Sequence, residues 1–150
     1  MEEFNWLIIT LIILLLLVVV SIDPVYNAAQ EAMRTNVQLI ASDIAGIINA
    51  MSPARADTCT NYELPKMECS VTIDPDLGEV KVTSGKYEYY KYYIKTDTSV
   101  YIEAPDNTFA CDKDRNMYLY FLKTDGSLNI KTYLELNGDM EEADLCGVLR

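Results

Sequence analysis

The sequence predicts an α+β chain: a long N-terminal hydrophobic helix over about residues 4–51, then a mainly antiparallel β-sheet or β-sandwich head over residues 52–150. Three observations carry this. Nineteen residues from Phe4 to Ile22 hold no charge, and apolar residues beyond them recur in steps of three and four. After Ser52 the pattern switches to short alternating segments separated by turn signals.

A helix of the length of Phe4–Ile22 covers roughly 28 Å, the thickness of a bilayer core. A signal peptide would show a basic start and a shorter apolar core, so a retained transmembrane helix is expected. Pro24 follows directly and acts as a hinge, either opening a second helix or kinking one continuous helix. Past it, Val25, Ala28, Ala29, Ala32, Val37, Ile40, Ala41, Ile44, Ala45 and Ile48 fall on one stripe. The small residues in that stripe let helix backbones approach closely, so it is the expected surface for helix packing and assembly.

"SPARADT" ends the helix. Strands are expected near 66–73, 79–83, 87–95, 99–103, 117–122 and 128–136, with "DPDLG" and "TDGS" as turns between neighbours. In "LNIKTYLEL" strict alternation gives one buried and one wet face. "YEYYKYY" holds five of the eleven tyrosines, a residue that suits both strands and contact surfaces.

Four cysteines, Cys59, Cys69, Cys111 and Cys146, all lie in the head and predict two disulfides. Three connectivities exist; proximity and the need to tether the C-terminal stretch favour Cys59–Cys69 and Cys111–Cys146. No closely spaced pair suggests a four-cysteine zinc site.

Charge and composition exclude several classes. The net charge is -11 with no basic cluster, which argues against nucleic acid, whose binding depends on Lys and Arg displacing counterions. Histidine is absent, and neither a nucleophile elbow nor a phosphate-binding glycine loop is present, so no enzyme and no cofactor are expected. Asp112, Asp114 and Asn116 match the first ligand positions of a calcium loop, but Met117 takes its glycine position and Lys123 its terminal glutamate position, so the match is weak. The positive-inside rule, read on residues 1–33 without Lys or Arg, would keep the head inside, whereas the cysteines place it outside. A removed basic leader or a dedicated translocation route reconciles the two.

These parts in this order resemble the type IV pilin superfamily, and most closely its archaeal pilin-like and archaellin-like members with β-rich heads. The resemblance implies a structural subunit that sits in the membrane before assembly and then forms a homo-oligomeric helical filament at the cell surface. Its N-terminal helices would make the filament core, and its heads would face solvent and carry adhesion. It also implies an assembly ATPase and a platform protein supplied by other chains. Asn5 stands where superfamily members carry an acidic residue, so Glu2 or Glu3 would neutralise a neighbour's N-terminal amine. The alternative is a non-polymerising, membrane-anchored extracytoplasmic binding module, such as a minor pilin, a stator or a receptor-like domain.

Overall fold

A computed structural model describes residues 2–134; the side chains of residues 2–5, 7–9, 16–23, 133 and 134 lie outside the description. The elements are one helix, α1 (Glu2–Met51), followed by β1 (Thr58–Leu64), β2 (Ser70–Asp74), β3 (Glu79–Ser84), β4 (Tyr87–Tyr92), β5 (Ser99–Glu103), β6 (Thr108–Ala110), β7 (Met117–Thr124) and β8 (Ser127–Leu134). The chain divides into two compact units, Met1–Thr35 and Asn36–Arg150, with the division inside α1.

The structure corrects the expected fold class. Among the described residues no helix is long and apolar enough to cross a membrane, and the chain is mostly β, with eight strands in two sheets. The α1 segment with continuously described side chains is the 28-residue stretch 24–51. Within it Val37, Ile40, Ala41, Ile44, Ala45 and Ile48 are buried, while Val25, Tyr26, Met33 and Leu39 are exposed together with Glu31, Arg34 and Asp43. Much of the expected span, residues 16–22 above all, falls on side chains outside the description.

In the unit that begins at Asn36, one sheet has the order β1-β7-β8-β5 and the other β4-β3-β2-β6. All strand pairs are antiparallel except β5 with β8, which run parallel. The expected strands near 79–83, 99–103, 117–122 and 128–136 appear as β3, β5, β7 and β8, the last described as far as Leu134. The segment 66–73 enters its strand only at Ser70, and 87–95 leaves it after Tyr92.

Both turn signals join neighbouring strands. At β7–β8 the central residues Asp125 and Gly126 take φ of 47° and 81°, the left-handed pair of a tight hairpin turn. At β2–β3 the Asp74 carboxylate accepts the N–H groups of Asp76 and Leu77, both at 2.9 Å. Gly78 closes that loop with φ of 68°, where a Cβ would sit 2.9 Å from Lys95 Cγ. Glycine is therefore required on both conformational and steric grounds.

A single hydrophobic cluster joins both sheets to the C-terminal part of α1. The helix contributes Val37, Ile40, Ala41, Ile44, Ala45, Ile48 and Met51. The sheets contribute Leu64, Val71, Ile73, Val80, Val82, Phe109, Met117, Leu119, Phe121, Leu128 and Ile130. Alternation makes this possible: in β2 and β3 every second residue is buried.

The favoured pairings, Cys59–Cys69 and Cys111–Cys146, are both overturned, because Cys69 is bonded to Cys111. Strand register explains why. β2 and β6 pair with Ser70 opposite Ala110, so the residues just outside the ladder meet, and the Cys111 N–H donates to the Cys69 carbonyl at 2.8 Å. Their Cα atoms are 4.9 Å apart, within disulfide range. Cys59 is also disulfide-bonded, and Cys146 lies outside the described residues.

Candidate assembly surface

The stripe expected to mediate assembly divides in two. Val37, Ile40, Ala41, Ile44, Ala45 and Ile48 are at most 2% exposed, consumed by the chain's own core. Leucine at Ala41 or Ala45 would overpack that core, so substitution there reports on head folding and not on assembly. Val25, Ala28, Ala29 and Ala32 are exposed.

In the unit Met1–Thr35 the described apolar side chains lie open. Trp6 and the run Leu11, Ile12, Ile13, Leu14 and Leu15 are 52–72% exposed, and Val25, Tyr26 and Met33 are 50–69% exposed. Five consecutive residues at about 100° per residue take in the whole circumference of a helix. The exposed apolar surface at 11–15 therefore faces every direction. α1 runs through Pro24, which lacks an N–H and leaves one hydrogen bond of the helical ladder unmade. The side chains of Glu2 and Glu3 lie outside the described residues.

Polar clamps fix the other end of α1 to the head. Asn49 Oδ1 accepts the Ile94 N–H at 2.7 Å, and the Tyr62 hydroxyl donates to Asp43 at 3.2 Å. Burial first, and the neighbouring Asp43 carboxylate second, push the Tyr62 phenol up to about 12. Past Met51 the helix has no basic residue in its last turn, but the Lys123 ammonium reaches it from β7. That ammonium donates to the Ser52 carbonyl at 3.0 Å and to Thr98 Oγ1 at 2.6 Å, and the Thr98 hydroxyl donates to the same carbonyl at 2.7 Å. A buried cation thus meets the negative end of the helix dipole.

Sequence reasoning passed over Lys123 except as a failed calcium ligand. Its signal was parity: Met117, Leu119, Phe121 and Lys123 share one face of β7, and three of the four are apolar core. Among the described residues no three His, Cys, Asp or Glu side chains gather as metal ligands, and the Asp112 carboxylate accepts the Asp114 N–H at 2.8 Å in a local turn. A cleft of about 270 Å³ lies between the chain end of α1 and β5, with Ser52, Pro75, Ile94, Thr98 and Tyr101 in its walls.

The tyrosine-rich strand β4 forms an edge of its sheet, with Tyr90 and Tyr92 outward and exposed. Opposite them stand Lys81 and Glu79 of β3. Hydrogen bonds from Lys81 and then Tyr90 hold the Glu88 carboxyl below its usual range. This face is a satisfied polar and aromatic ladder, with Lys81 Nζ 5.2 Å from the centre of the Tyr90 ring. No protein-family model, curated protein or solved structure matches the chain.

Proposed function

We propose that the chain is a pilin-like structural subunit of an extracellular filament at the cell surface, polymerising through the N-terminal part of α1 with its β-rich head toward solvent. The observation that carries the reading is the exposed run Leu11–Leu15, extended by Trp6, Val25, Tyr26 and Met33. Exposed apolar patches of this kind mark interaction surfaces. One partner helix covers one side only, whereas a surface that faces every direction is buried by several neighbours at once. A bundle of copies of the same helix supplies them, and each copy gains the same burial.

The division of the stripe supports the same reading. The part from Val37 onward is committed to the head, which leaves the part before Thr35 to meet other copies. The acidic balance and the absent histidine fit a structural role better than catalysis. An ATPase and a membrane platform protein, both separate chains, would drive assembly, as the resemblance to type IV pilins implies.

The test is negative-stain electron microscopy of material sheared from the cell surface, with mass spectrometry of the filaments. This chain is the expected dominant component. A Val25→Glu/Met33→Glu double variant alters exposed positions outside the head core, so the head should fold and form its Cys69–Cys111 bond. Filament yield should fall at least tenfold, because burying unpaired carboxylates between helices costs several kcal/mol per subunit. Filaments at wild-type yield from that variant would sink the proposal.

A further inference from the structure

Sheet edges expose backbone groups that template pairing with another chain, and proteins guard them with lysine, proline, short strands or bulges. Among the described residues, two of the four edge strands, β4 and β6, are guarded. On β4, Lys91 lies opposite the fully buried Val80, so it points to the core side of the edge while remaining exposed. That is an inward charge, which a docking strand would have to bury. β6 is only three residues long, confined between the short helical turn Pro105–Asn107 and the disulfide at Cys111. β1 carries the disulfide-bonded Cys59.

β5 differs. Among the described residues Ser99–Glu103 pairs with β8 alone, and it contains no lysine, proline or bulge. Among the described residues, none of its backbone groups makes a backbone–backbone hydrogen bond outside that ladder. Its outer face carries Tyr101, 56% exposed, while Val100 and Ile102 pack on the core from the inner face.

We infer that β5 is a self-pairing edge, where a second copy of this chain adds its own β5 antiparallel about a two-fold axis at Tyr101. The occupant follows from complementarity. In this register Ser99 faces Glu103 of the other copy, Val100 faces Ile102, and Tyr101 faces itself. No like charges oppose each other across the axis, the serine hydroxyl can donate to the carboxylate, and Glu103 is already neutralised in its own chain by Lys131 at 3.2 Å. The two valine–isoleucine pairs prolong the apolar layer of each sheet, and the tyrosines form an aromatic cross-strand pair. Such an isologous contact closes on itself as a dimer. Five residues a side bury too little for a tight complex, so the contact is weak in isolation. It does not depend on the filament reading.

The test is disulfide trapping with the full chain in detergent micelles. Tyr101→Cys should give a covalent dimer on non-reducing electrophoresis at least tenfold above Tyr92→Cys, the equivalent probe on the guarded strand. A mixture of Ser99→Cys and Glu103→Cys chains should cross-link to each other, which reads the register and stands in if Tyr101→Cys fails to fold. Both experiments are made in the Val25→Glu/Met33→Glu background as well, where the dimer should persist although helix polymerisation is lost. Tyr101→Cys yields no higher than those of Tyr92→Cys, together with no cross-link in the mixture, would overturn the inference.

Discussion

Lys123 shows how much one side chain can hold together. It lies 71 residues from Ser52 in sequence, yet it satisfies a carbonyl at the end of α1 and shares that carbonyl with Thr98. Lys123→Met keeps the aliphatic stem and removes the charge-assisted donor, leaving the Ser52 carbonyl to Thr98 alone. Relief from burying a charge offsets part of the loss. Equilibrium urea unfolding should therefore show about 2 kcal/mol of destabilisation. Tyrosine ionisation adds a pH dependence. Tyr62 is raised to about 12 by burial and then Asp43, and Tyr93 to about 12 by burial and then Asp74 and Asp76. Since both pKa values are higher folded than unfolded, their contribution is complete below about pH 10 and is lost as pH rises toward 12. A Tyr62→Phe/Tyr93→Phe variant should lose stability less steeply over that window. An unchanged slope in alkaline unfolding would assign the effect to other groups.

Among elements, periodicity revealed faces but not what covers them. The steps of three and four from Val37 to Ile48 identified a buried stripe, but the same pattern serves a neighbouring copy or the chain's own sheets. Only the three-dimensional fold shows that the sheets claim it. The strands β3, β5, β7 and β8 were legible because alternation and turn residues agreed there. β1 hid its alternation in "TCTNYEL", where polar side chains are half-buried on both faces. β6 is three residues long, too short for any period to register. The cysteine pairing misled for a related reason: proximity along the chain favoured Cys59–Cys69, whereas antiparallel pairing of β2 with β6 brought together residues 42 apart. By loop-closure entropy a bond across that distance contributes about 4 kcal/mol. It also pins β6, which has few hydrogen bonds of its own. Of the proposed assembly surface, the apolar run at 11–15 was visible from composition. The unguarded β5 edge was not, since strand order within a sheet is set by tertiary pairing.

At the scale of the whole molecule, acidic charge and exposed apolar surface coexist in one chain of net charge -11. Repulsion between like-charged copies opposes their association, and salt weakens it. Any assembly through α1 should therefore be favoured by raised ionic strength. The same chain has no clean seam between helix and head. The seven core residues Val37, Ile40, Ala41, Ile44, Ala45, Ile48 and Met51 all precede the first strand. A head excised at Ser52 would expose the apolar interiors of both sheets and should aggregate on expression. A fragment beginning at Asn36 carries its own core and should unfold cooperatively. The practical boundary for making a soluble head therefore lies some sixteen residues upstream of where the helix ends.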